Sequence, residues 1–248
     1  MLDYDKEAVR YDASRGGEPR AVAAADAVLS LLPPGTAALL DVACGTGLVT
    51  RQFAARRGLR VTGVDAAYAM ARMAAARVPG AVVIGDGRRL PFPGGAFDAV
   101  SAVWLLHLLR DPEEASAVVG ECARVLRPGG VLVTSVDKAT SHDVGSDIDA
   151  ALAGRPIRGA VDAAARVGQY AAAHGLTPAG RARFRGHGQG RSPRSTVADV
   201  HRGWFTGIPP DSASAGRFAA RLAALPDQDV PRPDPEFTLH AYRKPPHA

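Results

Sequence analysis

An α/β fold with a doubly wound, mostly parallel sheet is predicted by three observations. Short apolar runs alternate with helical patterns from residue 18 to residue 137. The first run, 38–42, breaks into Gly45-x-Gly47 and resumes as a helix. The second run, 60–64, ends in an acid, Asp65, about 20 residues past those glycines.

The turn after the first strand organises the rest. A strand that turns tightly into a helix can hold a nucleotide-like ligand: glycines let the backbone approach it, and the free N–H groups of the new helix face it. Asp41, near the strand end, is placed to fix the turn or to accept a bond from a cationic ligand. Asp65 has the spacing of a carboxylate on a ribose diol. The dinucleotide pattern G-x-G-x-x-G needs a third glycine, and here Thr50 stands instead.

In chain order, residues 1–17 form an arm whose Tyr4 and Tyr11, seven apart, can share a helix face; with Arg15 they suit a cover, or else a loosely packed tail. Residues 18–32 read as an amphipathic helix with Val22, Ala25, Leu29 and Leu32 inward, stopped by Pro33-Pro34-Gly35. The first nucleotide helix is expected over 46–57, a second helix over 67–77, and a third strand over 82–84, leading to Asp86. A fourth strand, 97–104, runs into His107, a candidate base with an ordinary pKa near 6.5, or a packing residue at a helix start. Asp111 to Leu126 reads as a helix capped by Asp111, with Pro112 first and Glu114 closing a capping box. A fifth strand, 131–136, brings Asp137 and Lys138 to its carboxyl end. A helix over 161–174, ended by Gly175, and strands at 179–185 and 236–243 complete the pattern. The long insertion 186–225 carries His187, Gln189 and Arg191 on a glycine frame, either a functional cover or a solvent turn.

The 248 residues suit one large domain or a domain plus a cap. No apolar run is long enough to span a membrane, and the N-terminus does not read as a signal peptide. Cys44 and Cys122 both fall in buried or ligand-facing elements, so no disulfide is expected and a reducing cytoplasm fits. The net charge is +5, and Lys6, Lys138 and Lys244 are the only lysines. Arg181, Arg183, Arg185, Arg191, Arg194 and Arg202 form either a solvated surface or a site for acidic partners, without aromatic residues for base stacking. No metal-ligand spacing is present.

The pattern D-x-x-C-G-T-G at 41–47 resembles motif I of the class I S-adenosylmethionine-dependent methyltransferases. Gly85 to Phe92 is similar to that family's third-strand loop, Ala96 to Val100 to its fourth strand, and Leu126 to Gly130 to the turn into its fifth. The resemblance covers roughly residues 36–137; Ala43 departs from it, where many members carry glycine. It implies a Rossmann-like, seven-stranded sheet, mostly parallel with an antiparallel last strand, plus a helical cap. Strand seven would then enter between five and six. It implies S-adenosylmethionine as cofactor, with S-adenosylhomocysteine as product. The implied cofactor residues are Tyr11, Arg15, Asp41, Ala43, Gly45, Gly47, Asp65, Ala66, Met70, Asp86, Gly87, Arg88 and Val103. Asp86 would accept the adenine amino group, and Gly87 or Arg88 N–H would meet a ring nitrogen. Met70 fits a ligand contact or plain core packing. Candidate catalytic residues are His107, His187 and Tyr4, with Asp137 beside them.

The expected activity is methyl transfer to an O, N or C atom of a small molecule such as a secondary metabolite. Val103-Trp104-Leu105-Leu106 stands where DNA and amide methylases carry Asn/Asp-Pro-Pro-Tyr, which disfavours that chemistry. The alternatives are a nucleic-acid methyltransferase using the arginines, or a protein that binds the cofactor for other chemistry, such as a cyclase. Residues 1–35 are read as an arm and cap helix, and 36–248 as the main domain with cap insertions at about 139–160 and 186–225. The arm and the insertions would enclose the acceptor; the oligomeric state is left open.

Overall fold

The computed structural model describes residues 11–13, 15–155, 160–205 and 207–246. Tyr4 lies outside the described residues. Seven strands form one sheet: β1 Ala38–Val42, β2 Arg60–Asp65, β3 Val82–Ile84, β4 Phe97–Ala102, β5 Leu126–Val136, β6 Thr177–Arg185 and β7 Glu236–Arg243. Their order is β3-β2-β1-β4-β5-β7-β6, and β7 runs antiparallel between β5 and β6. The α-helices that accompany them are α1 Gly17–Ser30, α2 Leu48–Ala54, α3 Tyr68–Arg77, α4 Pro112–Val125, α5 Asp147–Ala151, α6 Ala164–Ala173, α7 Pro193–His201 and α8 Ala213–Ala223, with short 3-10 turns at Leu106–Leu108 and Thr140–His142.

All five residues of β1 are buried, as expected of a parallel strand covered on both faces. Alternate residues serve opposite faces. Leu40 and Val42 join Val100, Leu132, Val118 and Cys122 on the side of α4 and α6. Leu39 joins Val61, Ala99, Val133, Phe53 and Val28 on the side of α1 and α2. A third cluster forms apart from the sheet: Ile148 and Leu152 near α5 meet Val200, Ile208, Phe218 and Leu222 from the long insertion. The segment around α5 and the helices of the long insertion thus share a small core of their own.

Several local expectations change. In α1 the inner face holds Arg20, Ala21, Ala24, Ala25, Ala27 and Val28, while Val22 is exposed. The helix was expected in the cap, but its alanines pack on the sheet because small side chains allow close approach there. α2 begins at Leu48 rather than Thr46, since Gly45 and Gly47 hold φ 56° and 81° and cannot be helical. In α4, Asp111 accepts Glu114 N–H at 2.9 Å as predicted. The capping box does not close: Glu114 accepts from Arg110 N–H and pairs with the Arg110 and Arg88 guanidiniums. β5 begins at Leu126, five residues early, because Leu126 pairs with Phe97 across a register shift. A Cβ on Gly130 would meet the Arg127 and Asp98 carbonyl oxygens at 2.9 Å, so only glycine passes there.

Cys44 and Cys122 are buried free thiols; burial pushes the Cys122 thiol up to about 12. Among the described residues, no helix is long and apolar enough to cross a membrane.

Candidate functional site

The carboxyl ends of β1 and β2 carry the glycine turn. Three residues in it are left-handed: Ala43 and Gly45 at φ 56° and Gly47 at φ 81°. The alanine tolerates this at a cost of about 1–2 kcal/mol. A Cβ on Gly45 would meet nothing within 4 Å, so open space lies over this backbone. Gly47 is different: a Cβ there would sit 2.7 Å from the Ala74 Cα, so its missing side chain lets α2 pack on α3.

Asp65 ends β2 beside this turn. Its carboxylate accepts Gly45 N–H at 2.8 Å and Ala67 N–H at 2.9 Å. It therefore shapes the loop and begins the turn toward α3. Asp41 lies deeper, 4% exposed, and accepts the Thr50 hydroxyl at 2.7 Å. Burial pushes its carboxyl up to about 6, against the pull of that bond. Asp41 thus braces α2 from below the turn.

The arm reaches the same turn through Asp12, which no sequence signal marked beyond its neighbour Tyr11. Asp12 accepts the Thr46 hydroxyl at 2.5 Å and pairs with Arg77 at 2.6 Å. Arg77 also donates to the Thr46 carbonyl at 2.5 Å. Arg15 lies 3.7 Å over the Trp204 ring and 5.7 Å from the Tyr11 ring. A Cβ on Gly16 would collide with the His187 carbonyl, so arm and insertion pack in direct contact.

Asp86, Gly87 and Arg88 follow β3 as expected, but their bonds differ. Arg88 donates its backbone N–H to Asp86 Oδ1 at 2.8 Å and its guanidinium to both Asp86 oxygens, at 2.7–3.0 Å. The Arg88 N–H expected on a ring nitrogen is used inside this local turn. The Arg88 guanidinium holds the Asp86 carboxyl below the usual range. Met70 is 2% exposed, Val103 is buried and Ala66 is exposed.

Beyond β4 and β5 the chemistry is basic. Trp104, at φ 58°, donates its backbone N–H to Ser135 Oγ at 2.7 Å, and its ring meets Phe184 and Phe237 edge-on. Lys138 Nζ lies 2.7 Å from His142 Nε2 and 5.0 Å over Phe237. His107 faces the same charges. Burial, with Lys138 and Arg15 nearby, lowers its pKa to about 3. The shift from the ordinary value near 6.5 favours the neutral ring across the physiological range. His187 meets Gly16 through its carbonyl, and among the described residues its ring joins none of the contacts around Phe237. Asp137 accepts the Ala164 N–H at 3.0 Å, opening α6. Sequence reasoning placed Lys138 by position only and missed Arg20, His142 and Asp12. The scarcity of lysine was the one available signal.

Residues 40–134 match the methyltransferase domain family. Over 101 residues the chain is 41% identical to a demethylmenaquinone methyltransferase of Thermobifida fusca (strain YX), covering 38% of this chain and 41% of that protein. Over 111 residues it is 34% identical to the 2-methyl-6-phytyl-1,4-hydroquinone methyltransferase of Synechocystis sp., covering 43% of this chain and 34% of that protein. The chain spans only about a third to two-fifths of the length of these two relatives. Among solved structures, the [4+2]-cyclase SpnF superposes with a TM-score of 0.62 at 20% identity, covering 98% of this chain and 95% of that one; that likeness concerns the fold. The sheet order, the glycine turn and these matches together support a class I S-adenosylmethionine-dependent methyltransferase domain over residues 40–134.

Proposed function

We propose that the protein transfers the methyl group of S-adenosylmethionine to an O, N or C atom of a small molecule. The observation that carries this is the open backbone over Gly45 beside the Asp65 carboxylate, at the carboxyl edge where an open α/β sheet binds ligands. The residues fit the cofactor: Asp65 would take the ribose hydroxyls, the turn 43–47 the amino-acid end, and the Asp86–Gly87 segment the adenine. When bound, the cofactor supplies an electrophilic methyl on a sulfonium. The chain's own task is then alignment and exclusion of water. Arm and insertion meet at Gly16 and His187, and Arg15 stacks on Trp204, which supports a cover over the acceptor.

A nucleic-acid acceptor is disfavoured. Arg183, Arg185, Arg194 and Arg202 each pair with a carboxylate at the surface, so the arginine-rich stretch is largely neutralised. The two relatives named above methylate quinone precursors by their names, which makes phenols and hydroquinones the first acceptors to assay.

Calorimetry tests the cofactor assignment. S-Adenosylhomocysteine should bind and NAD should not. Asp65→Asn should weaken S-adenosylhomocysteine by about 2 kcal/mol, roughly 30-fold, by weakening two bonds to a charged acceptor. Tight NAD binding, or an unchanged dissociation constant in the variant, would move the ligand elsewhere. Formation of S-adenosylhomocysteine with an acceptor separates methyl transfer from binding without turnover.

A further inference from the structure

The basic groups beyond β4 and β5 gather around one aromatic cluster. Lys138 and His142 sit against Phe237 at 5.0 and 5.6 Å, and Arg20 Cζ lies 4.1 Å over Trp104, whose ring meets Phe237 at 5.7 Å. His142 also lines a narrow, partly open cleft with Gln189 and Arg191, with a cavity volume of only about 10 Å³. Four segments distant in sequence thus bring cations and amide or indole donors to one place beside Phe237.

Little countercharge reaches them: Asp199, Asp143 and Asp149 attract Arg191, and Asp12 and the Tyr11 hydroxyl attract Arg20. Among the described residues, no Asp or Glu oxygen lies within ion-pair distance of Arg20, Lys138 or Arg191. Asp162, near Lys138, is used by the Lys138 backbone N–H at 2.8 Å. Asp149, at the cleft wall, is used by the Ser146 N–H and hydroxyl at 2.8 and 3.0 Å. Donors are unmet as well: Arg20 Nε, Trp104 Nε1 and Gln189 Nε2 are buried without a hydrogen-bond partner, as is His107 Nδ1. These four belong to a set of only six such atoms among the described residues, so the deficit is local. Buried cations are ordinarily paired and buried N–H groups ordinarily find acceptors. What would satisfy all of them is an oxygen-rich anion.

We propose that this end of the sheet holds an anionic oxygen group of the methyl acceptor, a carboxylate or a phosphate, with Lys138 and Arg191 as its charge partners and Gln189 and Trp104 as neutral donors. Naming the ligand as the acceptor rests on the methyltransferase reading; the anion site itself does not. The charge state agrees. Burial, with Arg191, Arg15 and Arg20 nearby and only Asp162 opposing, lowers Lys138 to about 7. His142 faces Lys138, Arg191, Arg15 and His107, and burial holds it neutral, far below its ordinary value. An anion would restore the ammonium. At about pH 8 the free site is mostly an amine, so binding a carboxylate, which does not itself titrate in this range, should take up close to one proton; at about pH 6 it should take up almost none.

The test is calorimetry on the full chain, with and without S-adenosylhomocysteine, using 4-hydroxybenzoate, phenyl phosphate, inorganic phosphate and neutral phenol as probes. At least one anion should bind tenfold or more tighter than phenol, and its rank against the others identifies carboxylate or phosphate. Lys138→Met and Arg191→Gln should each weaken that anion at least tenfold, with phenol and S-adenosylhomocysteine unchanged. Proton uptake, read in buffers of different ionisation enthalpy, needs no variant. The proposal fails if no anion outbinds phenol, if the variants weaken anion and phenol alike, or if binding at pH 8 takes up no proton. Lys138-dependent anion binding in a chain that ignores S-adenosylhomocysteine would keep the anion site and remove the methyltransferase reading.

Discussion

Asp41→Asn should reshape the pH dependence of stability. Asp41 is 4% exposed, and burial raises its carboxyl from 3.8 to about 6. A carboxyl with a raised folded pKa binds its proton more tightly folded than unfolded. Its ionisation therefore opposes folding, fully so above about pH 6, and the opposition fades as pH falls toward 3.8. The full penalty is about 3 kcal/mol at 1.36 kcal/mol per pKa unit. It is about 1 kcal/mol near pH 4.5 and about 3 kcal/mol near pH 7.5, a span of about 2 kcal/mol. Asparagine cannot ionise, so the variant lacks that span. It keeps an oxygen for Thr50 but adds an amide NH2 that needs an acceptor, at about 1–3 kcal/mol, a cost that does not vary with pH. That cost sets the offset between the two proteins, and the ionisation of Asp41 sets its slope with pH. Thermal unfolding of both chains without ligand should show the variant gaining on the parent by about 4–8 °C between about pH 4.5 and pH 7.5. A constant difference in Tm over that interval would refute a buried, ionised Asp41.

Gly47→Ala puts a methyl 2.7 Å from the Ala74 Cα at φ 81°. Left-handed strain and overpacking together should cost about 3 kcal/mol, lowering Tm by about 6–12 °C and abolishing S-adenosylhomocysteine binding by calorimetry. His107 titrates near 3, so His107→Gln should leave the shape of any pH–rate profile between about pH 6 and pH 8 unchanged. A limb near pH 6.5 that disappears in the variant would restore His107 as the base.

The sequence by itself determined whatever depends on near neighbours. The apolar run 38–42, the glycines at 45 and 47 and the acid at 65 are local facts, and the structure sets them as strand, left-handed turn and loop-binding carboxylate. The Asp111 cap and the stripe from Ala115 to Val125 were legible for the same reason, since helical spacing alone aligns them. Only the tertiary structure decided the rest. The inward face of α1 turned from Val22 to Arg20 because Trp104, far along the chain, lies beneath it. His107 lost its ordinary basicity, and Lys138 much of its own, because burial and cations brought in from distant segments act through space. Asp12 reads as an ordinary surface acid until folding sets Thr46 and Arg77 against it. Hydrogen-bond spacing along a turn is written in a few consecutive residues. Burial and electrostatic environment are set by which distant segments pack together, and no local pattern records that.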